Sequence, residues 1–147
     1  MSNVLDEGIF EFDEDISDAE LPPPFPDGTY NAEIMQVAVT LSKTSGKRMW
    51  VPDLVVPIEE YPNGYPVEEE PEGIRVKAYI IVGSPDRPSS AREKVAARRF
   101  CEAAGVTPSS SIILTDFMGK KVKVELVNEP GLDGVMRPNV KRILASK

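Results

Sequence analysis

The chain has 147 residues, with 24 acidic and 17 basic side chains, a net charge of −7 and no histidine. This length favours a single domain, and the lack of histidine excludes Ser-His-Asp triads, imidazole bases and most zinc sites. No apolar run approaches the roughly 20 residues of a membrane span, and a lone cysteine, Cys101, is typical of the reducing cytoplasm. Composition therefore favours a cytoplasmic binding protein without a cofactor over an enzyme.

Charge is distributed unevenly along the chain. Residues 1–27 hold nine acids and no base, and residues 57–72 hold six acids and no base. Outside these two segments the bases number 17 and the acids nine. The low pI of about 4.7 therefore hides a basic body that carries two acidic appendages.

The first appendage, residues 1–27, ends in the proline-rich stretch 21–26. Its acidic composition predicts a disordered or loosely docked arm, followed by a stiff polyproline spacer. Phe10 and Phe12 lie among the acids, which is unusual for a tail that only keeps a protein soluble. Two interpretations stay open: a solvated tail, or a segment that docks on a partner or on the basic groove of its own or a neighbouring chain.

The pattern becomes β from Asp27-Gly28 onward. Apolar and polar residues alternate from Tyr30 to Ile34, and the apolar phase then shifts by one residue near Met35-Gln36. The shift predicts a β-bulge within a long first strand. Tightly curved small barrels require such strands.

Three segments follow the first strand. A basic glycine turn leads to a second strand over 49–56, in which Pro52 predicts an edge position or a break. The acidic, proline-rich segment 57–73 is predicted to be a long flap in which two tyrosines pack. Residues 73–82 alternate cleanly and predict a third strand.

One helix is predicted between the third strand and the last two. Ser90 and Glu93 have the spacing of a capping box, and Gly105 is suited to end the helix. Residues 120–126 and 136–144 alternate as two further strands. The order β-β-β-α-β-β is that of an OB-fold, a partly open five-stranded Greek-key barrel with the helix between strands 3 and 4.

Five short segments of the chain carry a family resemblance: 28–34 (GTYNAEI), 42–49 (SKTSGKRM), 100–105 (FCEAAG), 117–124 (FMGKKVKV) and 137–144 (RPNVKRIL). These segments resemble phage-encoded OB-fold single-stranded-DNA-binding proteins. The resemblance implies an OB-like domain over 28–147 that binds single-stranded DNA without sequence preference in phage DNA replication or recombination. The wider class often carries its acidic segment at the C-terminus, whereas the acidic arm here is N-terminal.

Binding a single strand in this way requires cations along the phosphate backbone and aromatic faces for the bases. Arg75, Lys77 and Tyr79 are predicted to share one outward strand face, with Trp50 beside them on the neighbouring strand. The candidate DNA-binding residues are Lys43, Lys47, Arg48, Trp50, Arg75, Lys77, Tyr79, Lys121, Lys123 and Lys141. Two alternatives stay open: surface cations that only balance the acidic arm, and a Trp50 that is buried under the helix or the arm.

Two other function classes compete with DNA binding. An enzyme is disfavoured because phosphate-binding and dinucleotide-binding glycine motifs are absent and the acids cluster in proline-rich segments. A virion or assembly protein built on a small β-barrel is the alternative, since a fold does not fix a function. The expected partners are single-stranded DNA, replication or recombination proteins that bind the acidic arm, and a further copy of the chain. No membrane partner is expected.

Overall fold

The computed structural model describes residues 8–20 and 23–146. Its elements are β1 (Gly28–Leu41), β2 (Arg48–Val56), β3 (Ile74–Lys77), β4 (Ile80–Gly83), α1 (Ala91–Ala104), β5 (Lys121–Pro130) and β6 (Met136–Ala145). Single turns of 3-10 helix lie at Ile58–Glu60, Val67–Glu69 and Leu114–Phe117. The prediction of a mainly β fold with one helix is confirmed. Within the described residues, no helix has the length and apolar character to cross a bilayer.

All six strands belong to one antiparallel sheet. Its order is β3-β2-β1-β5-β6, and β4 also pairs with β2. Strands β5, β1, β2 and β3 thus lie in the spatial order of a Greek key. The outer strands β3 and β6 come within 8 Å of each other, Cα to Cα, but no hydrogen-bonded ladder joins them in the described part of the chain. The sheet is therefore open, and we call this gap the seam.

The third predicted strand is divided into β3 and β4, so the sheet has six strands and not the predicted five. Both halves pair with β2 in one register apart from a shift between Arg48 and Met49, and Pro52 of β2 lies opposite the gap. The Pro52 carbonyl accepts a hydrogen bond from the Ala78 amide at 3.2 Å, but proline has no N–H to return it. Since β2 lies inside the sheet, Pro52 interrupts the neighbouring strand and does not mark an edge.

Two predictions from local sequence are confirmed. The register between β1 and β2 shifts between Ile34 and Gln36, where the β-bulge was expected. The Ser90 hydroxyl accepts from the Glu93 amide at 3.2 Å, and the Glu93 carboxylate accepts from the Ser90 amide at 2.7 Å. Gly105 ends α1 in the left-handed region, with a φ of 77°. The helix therefore begins and ends at the predicted residues.

The core lies between the sheet and α1. Phe117, Leu54 and Leu126 are among its fully buried side chains. Phe117 stacks on Phe100 of α1, with ring centroids 4.7 Å apart. The helix contacts both β4 and β6, so it packs beside the opening of the sheet.

The packed fold begins at Phe25, ahead of the domain boundary predicted at Gly28. Phe25 is only 2% exposed. Its ring packs against Tyr30, Tyr65 and Tyr61, at centroid distances of 4.7, 5.0 and 5.4 Å. The two flap tyrosines pack together as predicted, and they hold the end of the proline-rich spacer in the core.

The arm is described over 8–20, where every residue is exposed. Phe10 and Phe12 contact each other at 4.9 Å between centroids, yet they remain 63% and 58% exposed. The described part of the arm therefore does not occupy a groove of its own chain, and docking on a partner or on a neighbouring chain stays a prediction. The segments 1–7 and 21–22 of the predicted arm lie outside the described residues.

Candidate nucleic-acid interface

A basic cleft opens along the seam. It lies between β4, α1 and β6, and its volume is about 610 Å³. We call it the seam cleft. The basic side chains that line it are Lys47, Arg87, Arg92, Arg99, Lys141 and Arg142. Among the described residues around the cleft, only Glu93 is acidic.

This one acid is already neutralised. Arg87 donates to both oxygens of the Glu93 carboxylate, each at 3.2 Å. These hydrogen bonds lower the pKa of Glu93 to about 2, with help from its bond to the Ser90 amide. Glu93 therefore stays charged and paired, and it does not repel an anion that enters the cleft.

Apart from Arg87, most of the basic side chains in the seam cleft have no acidic side chain to neutralise them. Arg142 donates to Glu125 at 2.7 Å. The cleft bases without a carboxylate within 4.0 Å in the described part of the chain are Lys47, Arg92, Arg99 and Lys141. The seam cleft thus carries a surplus of positive charge.

One aromatic ring is open to this cleft. Tyr79 lies in the gap between β3 and β4, and its side chain is 65% exposed. It lines the cleft together with Lys47 and Lys141. These three are the members of the predicted set that line the seam cleft. An exposed ring beside unpaired cations is the combination that a single strand requires.

Arg75 and Lys77 are exposed on the outward face next to Tyr79, as predicted, but Arg75 forms an ion pair with a carboxylate. Arg75 donates to Asp53 at 2.8 Å, and Lys77 lies opposite Asp53 in the register of β2 and β3. The bond with Asp53 raises the pKa of Arg75. Sequence reasoning did not include Asp53, whose place beside both bases depends on the pairing of two strands.

Trp50 lies on the opposite face of the sheet from Tyr79. It stands opposite Ile80 in the register, and its ring centroid is 6.2 Å from that of Phe100 and 5.9 Å from that of Phe117. The prediction that Trp50 points away from the core and beside Tyr79 was wrong. The alternative, a tryptophan covered by the helix, describes its position.

Four other predicted residues lie away from the seam cleft. Lys43 is exposed in the β1–β2 turn, and Arg48 lines a different groove on the other side of α1. Lys121 and Lys123 are on β5, opposite β1, and β6 separates them from the seam. These four residues do not contribute to the cleft.

Sequence reasoning missed the contribution of α1. Arg92 and Arg99 are two helical turns apart, so they share one flank of the helix, and both line the cleft. The basic side of α1 was visible in the sequence. Its position at the seam depends on how the helix packs between β4 and β6.

No group of three or more His, Cys, Asp or Glu side chains within the described residues is placed to hold a metal ion. Comparison with protein-family models and with curated proteins finds no match to this sequence. Charge, exposure and geometry therefore define the candidate site.

The Arg87–Glu93 pair predicts a pH dependence of stability. The pKa of Glu93 is lowered from 4.5 to about 2 in the fold, so the ionised carboxylate stabilises the fold above pH 4.5. This stabilisation is lost as the pH falls from 4.5 toward 2. We expect Glu93→Gln to melt below wild type at neutral pH, and the difference to shrink over that range. Melting curves by circular dichroism measure it; a difference that does not change with pH would contradict the assignment.

Proposed function

We propose that this protein binds single-stranded DNA without sequence preference, and that the strand lies in the seam cleft. The observation that carries the proposal is one cleft that combines unpaired basic side chains with an exposed tyrosine ring. Cations bind phosphates, and each stacked base contributes about 1–3 kcal/mol. Neither contact depends on the identity of the base, so binding of this kind tolerates any sequence.

A single strand suits this cleft better than a duplex. Stacking on Tyr79 requires a base with a free face, which unpaired, splayed bases provide. The amides of Ser90 and Glu93 are already bonded within the helix cap, so these two amides are not free to bind a phosphate. The resemblance to phage single-stranded-DNA-binding proteins favours DNA over RNA.

We also propose that the sheet is an OB-like barrel that stays open at the seam. The Greek-key order, the bulge in β1 and the helix placed ahead of β5 support this assignment. In this proposal the protein coats single-stranded intermediates of phage DNA replication or recombination in the cytoplasm of the infected cell. Its role is binding, with no catalytic step.

The exposed arm supports a second candidate function. Phe10 and Phe12 are open to solvent within an acidic segment, and such a segment is suited to connect one protein to another. In a virion or assembly protein it would connect subunits. In a DNA-binding protein the same arm would recruit replication or recombination proteins.

Titration of a labelled oligo-dT of about 16 nucleotides, beside a duplex of the same length, tests the proposed function. We expect the single strand to bind more tightly at low salt. Log K should fall with log salt by about 0.7 per phosphate that the protein neutralises. Fluorescence anisotropy measures both quantities. Absence of single-strand binding at low salt would favour the assembly function, and tighter binding of the duplex would contradict the stacking role.

A further inference from the structure

A second basic groove adjoins the seam cleft. It lies between α1 and the β1–β2 hairpin, and its volume is about 750 Å³. We call it the hairpin groove. Its walls include the basic side chains of Arg48, Lys94 and Arg98 and the apolar side chains of Val39 and Trp50. No carboxylate belongs to the described residues that line it, but Arg98 forms an ion pair at 3.9 Å with Glu102, which lies outside the groove.

The basic side chains of α1 and of the β1–β2 hairpin are distributed between the two cavities. Arg92 and Arg99 are on one flank of α1, and Lys94 and Arg98 are on the other. In the hairpin, two consecutive residues separate in the same way, with Lys47 in the cleft and Arg48 in the groove. Positive charge therefore continues around α1 from one cavity into the next.

The loop 84–89 forms the connection between them. Arg87 lines both cavities, and with Lys47 it lines a smaller depression of about 500 Å³ on the same loop. Asp86 also lines this depression, so the connection is less basic than either cavity. The Ser89 hydroxyl donates to the backbone of β4 at 2.6 Å, which holds the loop in place.

We propose that a single strand longer than the seam cleft passes over the loop 84–89 and continues into the hairpin groove. There a nucleobase of the strand contacts Trp50. This inference rests on the proposed function of the cleft and extends its binding site. Each cavity has the volume of a pocket for one drug-sized molecule, so each holds only a few nucleotides. The groove supplies the cations and the aromatic surface that the rest of a longer strand requires.

Continuity with the seam cleft favours a nucleic-acid strand as the occupant of the groove. The other anionic candidate is the arm of a second copy, with its acids and its exposed Phe10 and Phe12. The strand already bound in the cleft reaches the groove at a high effective concentration. A second copy gains no such advantage.

Trp50 is the one tryptophan of the chain, and it lines the groove but not the cleft. Its fluorescence therefore reports occupation of the groove alone. We expect saturation with oligo-dT of about 16 nucleotides to quench this emission. Saturation with an oligo-dT of about 6 nucleotides, which fills the cleft first, should leave the emission of Trp50 unchanged.

Two double variants separate the cavities. Lys94→Ala with Arg98→Ala should weaken the longer oligonucleotide roughly tenfold at low salt and leave the shorter one unchanged. Arg92→Ala with Arg99→Ala should weaken both lengths. Anisotropy of labelled strands measures the affinities independently of Trp50.

Several outcomes would overturn the extended path. One is equal quenching of Trp50 by both oligonucleotides, and another is no quenching by the longer one. A third is an equal loss of affinity for both oligonucleotides in the Lys94/Arg98 variant. A change in Trp50 emission with protein concentration alone, lost on deletion of residues 1–20, would assign the groove to the arm of a second copy. Failure of the cleft itself is distinct, because then neither length would bind at low salt.

Discussion

We expect Phe25→Ala to lower the free energy of unfolding by about 3–5 kcal/mol, the usual cost of truncating a buried phenylalanine. Phe25 is 2% exposed and its ring is surrounded by Tyr30, Tyr61 and Tyr65. The Asn128 side chain also donates to the Phe25 carbonyl at 2.6 Å. The loss is a large part of the roughly 5–15 kcal/mol that stabilises a typical domain.

Phe10→Ala is the matched control, because it removes the same side chain from the exposed part of the arm. We expect its effect to stay within about 0.5 kcal/mol. Urea denaturation followed by circular dichroism gives both free energies. Equal effects of the two variants would contradict the finding that the core begins at Phe25.

Features that depend on neighbouring residues could be predicted from the sequence. The helix follows from the spacing of Ser90 and Glu93 at its start and from Gly105 at its end. The bulge in β1 follows from a shift of one residue in the apolar alternation. In both cases the physical cause lies inside the element itself.

Features that depend on pairing between distant segments could not be predicted in the same way. The division of the third strand follows from Pro52, but only because β2 lies inside the sheet. The Asp53 carboxylate meets Arg75 across two strands. Such contacts require the register, which short alternating segments leave open.

The inward position of Trp50 could have been predicted from the alternation of apolar residues along β2. Its orientation was inferred from Met49 and Val51, which are apolar and flank it in β2. Trp50 shares its parity with Leu54 and Val56, which are fully buried. The longer alternation over 50–56 was the better guide to the core face.

We expect Arg92→Ala with Arg99→Ala to weaken binding of oligo-dT by roughly 10- to 100-fold at about 50 mM salt. Each basic side chain that contacts a phosphate of a single strand contributes about 0.7 to the salt slope through counterion release. Both side chains line the seam cleft and have no carboxylate within 4.0 Å in the part of the chain that the structure describes. Alanine is a strong helix former, so α1 should remain folded.

Lys121→Ala is the matched control, since it removes an exposed base on β5 that is outside the cleft. We expect its affinity and its salt slope to equal those of wild type. Melting curves of all variants establish that they are folded. A loss of affinity in Lys121→Ala equal to the loss in the double variant would place the phosphate contacts on the outward face of β5.

The slope of log K against log salt, measured side by side for wild type and the Arg92/Arg99 variant with the same oligo-dT, tests whether the seam cleft holds the strand. We predict a wild-type slope that becomes shallower by about 1.4 in the variant, which corresponds to two lost phosphate contacts. An unchanged slope, with wild type still binding the single strand, would show that the strand lies elsewhere on the protein.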